Sequence, residues 1–210
     1  MTGDTLTSRT LAEAAADAST CTKCRLSGGR TQVVYGVGSP DADLMFIGEG
    51  PGFNEDKQGI PFVGAAGQLL NTMLQEHGIP REDVYIANVI KCRPPGNRDP
   101  LPDEIESCKP WLDEQLNLIR PSVIVTLGNF ATRFMLNQMI SISRVRGQRF
   151  RIHGRTVIPT FHPAAILHGG GMASKQMQAL RDDFAEIRRA LEERAAAPSE
   201  PEPEEQLGLF

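Results

Sequence analysis

Gly48-Glu49-Gly50-Pro51-Gly52-Phe53-Asn54-Glu55-Asp56-Lys57-Gln58-Gly59-Ile60-Pro61-Phe62-Val63-Gly64-Ala65-Ala66-Gly67 is the stretch around which this chain is organised. The apolar run Leu44 to Ile47 before it reads as a buried strand. Behind it, Leu69, Leu70, Met73 and Leu74 fall at helical spacing between Gln68 and His77. The stretch is therefore a strand-to-helix loop, and it carries six glycines and two prolines. A loop of that length inside a compact domain is uncommon unless it binds something. Glycines let the main chain approach a ligand closely and present its N–H groups. Glu49, Glu55 and Asp56 add acids, and Phe53 and Phe62 add flat apolar faces.

Outward from this loop the pattern repeats. Val84 to Ile90 is a second buried strand and opens into Lys91 to Pro100, a loop by its Pro, Gly and Asn content. Pro102-Asp103-Glu104 starts a helix that runs to Ile119, acids first. Ser122 to Leu127 is a third strand, Gly128 to Leu136 a helix, and Arg144 to Ile152 a basic hairpin. Thr156 to Phe161 is the fourth strand and ends at His162-Pro163; an amphipathic helix follows from Lys175 to Glu193. On the N-terminal side, Leu11 to Ala18 is an Ala-rich helix and Val33 to Gly36 a short strand or turn. Strands alternating with helices predict a mostly parallel sheet with helices on both faces. Ligands of such folds sit outside the carboxyl ends of the strands. Glu49, Asn88 and His162 stand at three of those ends and should converge on one crevice.

At 210 residues the chain is expected to form one domain, 1–194, followed by an Ala/Pro/Glu linker, 195–205, of disordered composition. No apolar run approaches the ~20 residues of a membrane helix, and no secretory leader pattern opens the chain, so a cytosolic protein is predicted. The net charge of −4 conceals a pattern. Glu200, Glu202, Glu204 and Glu205 supply it; the remaining acids and bases are equal at 22 each. Arg144, Arg146, Arg149, Arg151 and Arg155 crowd into one short run, the kind of basic cluster that meets phosphate.

The four cysteines form a Cys21-x2-Cys24 pair and a second pair, Cys92 and Cys108. With no other cysteine in a cytosolic chain, that spacing points to a four-thiolate metal site. It would pin the N-terminal segment to the loop and helix after Asn88. Thiolates suit zinc or an iron–sulfur cluster, and spacing does not separate the two.

Taken together, the glycine loop, the four cysteines, Asn88 and His162-Pro163 resemble the family 4 uracil-DNA glycosylases, an iron–sulfur branch of the uracil-DNA glycosylase superfamily. The resemblance covers about Cys21 to Arg189. It rests on Gly48-Glu49-Gly50-Pro51-Gly52 with Glu55-Asp56, on Gly59-Ile60-Pro61-Phe62-Val63-Gly64, and on His162-Pro163-Ala164. It implies a three-layer α/β/α fold with a central four-stranded, mostly parallel sheet. It also implies a [4Fe-4S] cluster on Cys21, Cys24, Cys92 and Cys108, and release of uracil from single- or double-stranded DNA in base excision repair. Phe62 would stack on the extruded base and Asn88 read its N3–H and O4. His162 would donate to O2 as the bond breaks, and Glu49 would position water. Gly50, Phe53 and Glu55 complete the substrate-binding set. Arg144, Arg146 and Arg149 would hold phosphates, and Ile166 or Leu167 would wedge into the space the base leaves. Two departures bear on mechanism. Gly50 stands where the best-known uracil glycosylases carry a water-orienting aspartate. The Lys-Arg-Arg-Ile-His insertion of covalent-trapping relatives is missing after the second strand, so turnover is expected.

Gln206-Leu207-Gly208-Leu209-Phe210 is similar to the Gln-Leu-x-Leu-Phe peptide with which bacterial repair and replication proteins dock on the β sliding clamp. A tethered peptide of this kind would raise the local concentration of the protein on DNA. The expected protein is a monomer of the nucleoid. The competing expectation is a non-catalytic iron–sulfur module that binds DNA or senses damage.

Overall fold

The computed structural model describes residues 9–196. The expected 206–210 peptide and most of the 195–205 linker lie outside the described residues. Six strands form one sheet: β1 (Val37–Gly38), β2 (Leu44–Gly48), β3 (Val84–Asn88), β4 (Val123–Leu127), β5 (Phe150–Ile152) and β6 (Arg155–Thr160), in the order β1-β3-β2-β4-β6-β5. The inner four, β3-β2-β4-β6, are parallel and correspond to the four-stranded sheet expected from sequence. The edges differ from expectation. β1 and β5 add antiparallel edge strands of two and three residues, too short to show a period of their own. The N-terminal strand is Val37–Gly38, a few residues beyond Val33 to Gly36.

Every residue of β2, β3 and β4 is buried, as parallel strands covered on both faces must be. Among the described residues eight α-helices surround the sheet: α1 (Leu11–Ser19), α2 (Phe53–Gln58), α3 (Ala65–Glu76), α4 (Pro102–Ile119), α5 (Gly128–Leu136), α6 (Ile142–Val145), α7 (Pro163–His168) and α8 (Lys175–Ala196). Alternate strand residues serve opposite layers. Leu44 and Phe46 pack with α3 and α8, where Phe46 stacks on Phe184 at 5.9 Å. Met45 and Ile47 pack with α4 and α5. Full burial of a side chain such as Phe46 is worth about 2–3 kcal/mol, and this repetition on two faces holds the three layers together. α1 is capped by Thr10, whose hydroxyl accepts from Glu13 N–H while Glu13 accepts from Thr10 N–H. It then buries Ala14 and Ala18 beside Trp111 of α4. α8 continues to Ala196, two residues into the expected linker.

β2 lies between β3 and β4, so the chain leaves it toward one side and later returns on the other. The crevice at its carboxyl end is the topological switch point where open α/β sheets bind ligands.

Candidate active site

At that switch point a pocket of about 450 Å³ opens. The ends of β2, β3 and β6 supply Glu49 and Gly50, Asn88, and His162; the loop before α3 adds Phe62, and α2 adds Glu55. The glycine stretch is not loop throughout, because its middle winds into α2 before turning back at Gly59. Glu55 holds that return: its Oε1 accepts from Val63 N–H at 3.1 Å and Gly64 N–H at 3.2 Å. Phe62 sits between these bonds and α3 with φ of +56°, a conformation that strains a bulky residue. Two glycines make the packing possible. A Cβ on Gly67 would lie 1.6 Å from the Phe62 carbonyl oxygen. A Cβ on Gly48 would lie 2.4 Å from Asn88 Oδ1 and 2.9 Å from Phe62 Cζ.

Asn88 is 2% exposed, and its Oδ1 has no hydrogen-bond partner among the described residues. An orphaned acceptor at that depth is costly unless a ligand answers it. The His162 ring lies 5.7 Å from Phe62, tilted by 31°. Its Nδ1 accepts from Ala164 N–H at 3.2 Å, which leaves the proton of the neutral ring on Nε2. Burial pushes the His162 pKa down to about 4, opposed in part by the Glu55 charge. The imidazole is therefore neutral at pH 7 and offers one N–H. Glu49 has its pKa raised by burial, with the Asp99 charge adding to the effect.

The far wall is the part of the Lys91 to Pro100 loop beyond Cys92, for which the sequence suggested no role. Pro94, Asn97, Arg98 and Pro100 line the pocket. Arg98 donates to both oxygens of buried Glu104, at 2.6 and 2.9 Å, and Glu104 also accepts from Leu101 N–H. The signal was present in Leu101-Pro102-Asp103-Glu104, a helix start with its acid at the third position. His168 of α7 also reaches the pocket.

Other expected residues lie elsewhere. Phe53 is half exposed outside the pocket lining, with Lys57 Nζ 4.3 Å and the Arg93 guanidinium 5.0 Å from its ring. Ile166 is fully buried in the core, which corrects its expected role as a wedge; Leu167 beside it is exposed. The basic run is not a free phosphate-binding face either. Arg146 grips Asp183 at 2.6 and 3.0 Å, and Arg149 is held by Glu186 and Glu193. Arg155 donates to the Leu116 carbonyl and Arg151 to Thr156. Arg146 and Arg149 thus tie the segment before β5 to α8, Arg155 ties β6 to α4 and Arg151 bonds within the hairpin, while Arg144 remains exposed.

Cys21, Cys24, Cys92 and Cys108 line one small pocket between the N-terminal segment, the loop after β3 and α4. Three N–H groups point at its sulfurs: Lys91 N–H to Cys108 at 3.2 Å, Trp111 Nε1–H to Cys21 at 3.4 Å, and Arg30 to Cys92 at 3.5 Å. Among the described residues no three His, Cys, Asp or Glu side chains are arranged to hold a single metal ion. Burial pushes the Cys92 thiol up to about 11 and raises Cys108 as well. Thiols in such surroundings become thiolates only when something positive binds them.

The profile of the uracil DNA glycosylase superfamily matches residues 35–187. The chain is 47% identical over 177 residues to the type-4 uracil-DNA glycosylase of Sulfurisphaera tokodaii, covering 80% of this chain and 79% of that one. It is 51% and 52% identical to the type-4 uracil-DNA glycosylases of Archaeoglobus fulgidus and Thermotoga maritima, covering 70% of this chain and 78% of each of those. This chain belongs to the type-4 uracil-DNA glycosylase family. The glycine stretch, Asn88 and His162 that define the pocket lie within the matched span. Among the described residues no helix is long and apolar enough to cross a membrane.

Proposed function

We propose that this protein releases uracil from DNA by hydrolysing the N-glycosidic bond of an extruded deoxyuridine. The carrying observation is the unpartnered Asn88 Oδ1, buried in a pocket beside an aromatic ring and a neutral imidazole. A base must leave the helix to be attacked, and an extruded base is read along its Watson–Crick edge. Uracil presents an N3–H donor and an O4 acceptor, which match the acceptor and donor of one amide. Cytosine presents the reverse, and a buried amide facing the wrong pattern leaves groups unpaired, a mismatch worth on the order of 10⁴ in selectivity. Phe62 supplies the stacking face.

As the glycosidic bond lengthens, negative charge gathers on uracil O2. The Nε2–H of neutral His162 is the donor suited to that oxygen, and a preorganised donor at developing charge is usually the largest catalytic term. Glu49 is suited to orient the water that captures the sugar, and burial, by raising its pKa, makes its carboxylate a better proton acceptor than an exposed glutamate. Glu55 acts by holding the turn that presents Phe62. DNA would cross the lip where Phe53 stands between Lys57 and Arg93, with exposed Leu167 of α7 as the wedge.

The four thiols fit a [4Fe-4S] cluster. They surround a pocket, not a point, and N–H groups aimed at sulfur are what such clusters receive from protein. When bound, the cluster ties the N-terminal segment to α4 and supplies no position for hydrolytic chemistry. The 206–210 peptide would bind a β sliding clamp, placing the protein on nucleoid DNA in the cytoplasm as a monomer.

The test is a uracil-release assay on U:G, U:A and single-stranded substrates with wild-type, Asn88→Ala and His162→Ala proteins, with visible absorption recorded on the same samples. Free uracil from the wild type and its near-loss in both variants is the expected result. DNA binding without release would mark the chain as a non-catalytic module.

A further inference from the structure

Lys91 joins the two pockets. Its side chain is 1% exposed, and a buried ammonium is costly unless charge or hydrogen bonds compensate it. Among the described residues its hydrogen-bond partners are both neutral: the Asn88 backbone carbonyl at 2.7 Å and Gln115 Oε1 at 2.5 Å. The Tyr35 ring lies 5.7 Å away. Gln115 is itself fixed, donating to the Tyr35 carbonyl at 2.8 Å and the Tyr85 hydroxyl at 3.2 Å. The negative charge such a cation needs lies in the other direction. Lys91 lines the four-cysteine pocket, and its own N–H donates to Cys108 Sγ.

We propose that Lys91 is a positioning residue with two attachments. Its charge is the counter-ion of the thiolate site built from Cys21, Cys24, Cys92 and Cys108, and its bond to the Asn88 carbonyl fixes the end of β3 on which uracil is read. This rests on the reading of both pockets given above. The Lys91 side chain holds the strand end through the Asn88 carbonyl, its backbone N–H holds Cys108, and the strand end holds the amide that faces the base. Among the described residues none lines both pockets, so Lys91 is the link through which filling one stiffens the other.

The experiment uses the full-length, cluster-loaded protein and two variants. Lys91→Met keeps the aliphatic stem and removes the charge and both bonds. Gln115→Glu keeps an oxygen acceptor for Lys91 and sets a carboxylate against its charge. Two quantities are read besides thermal stability: the inhibition constant of free uracil, and the rate at which ferricyanide bleaches the visible absorption. A nearby cation favours the electron-rich state of a cluster, so neutralising it makes oxidation easier. Lys91→Met should weaken uracil inhibition about tenfold, the loss of one hydrogen bond from a charged donor, and bleach severalfold faster. Gln115→Glu should also bleach faster while uracil inhibition stays near the wild-type value. If Lys91→Met does not fold, the split within Gln115→Glu still decides. Both quantities at wild-type values in a folded Lys91→Met protein, or a Gln115→Glu protein whose bleaching is unchanged, overturns the proposal alone. A colourless wild type, or one that releases no uracil, overturns the reading of the pockets and this inference with it.

Discussion

The strand-end pocket and the cysteine pocket both draw on the chain that leaves β3, yet they treat polar groups in opposite ways. In the first, hydrogen-bonding capacity is left open. Asn88 Oδ1 has no partner among the described residues and His162 uses only one ring nitrogen. In the second, N–H groups from Arg30, Lys91 and Trp111 are each directed at a sulfur. A site that must accept and release a base keeps donors and acceptors unmet until the base arrives. The cluster proposed for the second pocket would stay in place, and N–H groups directed at sulfur are the support such a group needs.

Removing groups from each pocket separates these roles. His162→Ala and Asn88→Ala should each lower uracil release by about 10³, the scale of a lost transition-state donor. The melting temperature and visible absorption of both proteins should stay close to wild type. A variant of either residue that keeps a tenth of the activity would place the chemistry elsewhere. Cys92→Ser should do the reverse: visible absorption is lost and the thermal midpoint falls by about 10 °C, as a loss near 3 kcal/mol implies for a domain of this size. Gly48→Ala sharpens the first half of the contrast. Its Cβ would press on both Asn88 and Phe62, so uracil release should fall about 10²-fold with the colour retained.

Smaller effects probe the electrostatics. The folded-state His162 pKa, about 4, lies below the 6.5 of an unfolded chain. Between those values the unfolded chain binds a proton that the folded one refuses. Stability therefore falls as pH drops through that window, by at most roughly 3 kcal/mol, and His162→Asn should flatten that slope. The ring resonances of His162 should show a neutral imidazole throughout the neutral range. At the lip, Arg93→Gln should reduce the salt dependence of DNA binding by about one phosphate contact, whereas Arg146→Ala should chiefly destabilise the fold, because it strips the cation from buried Asp183 and leaves it only the Thr160 hydroxyl among the described residues.

Much of this was legible in one dimension. Continuous apolar runs at Leu44, Val84 and Val123 announced buried parallel strands because both faces of such strands are covered, and the alternation with helices determined the layering. The strand-end rule brought Glu49, Asn88 and His162 to one crevice before any coordinates. The errors fell where local pattern is silent about partners. Ile166 and Leu167 are adjacent on α7 with equal apolar character, and only packing decides which faces the core. The arginines of 144–155 looked like a phosphate face because their acids, Asp183, Glu186 and Glu193, lie some forty residues away on α8. The wall from Pro94 to Pro100 was missed because its composition marks a loop and nothing in it marks a lining.

By itself the sequence determined the parallel sheet and the glycine-rich approach to the strand ends, since each follows from short-range spacing and residue type. Tertiary structure alone decided which polar atoms are left without partners, which arginines are already engaged, and that Lys91 stands between the two pockets. Burial and charge pairing are properties of neighbours in space, and neighbours are what a linear chain does not record.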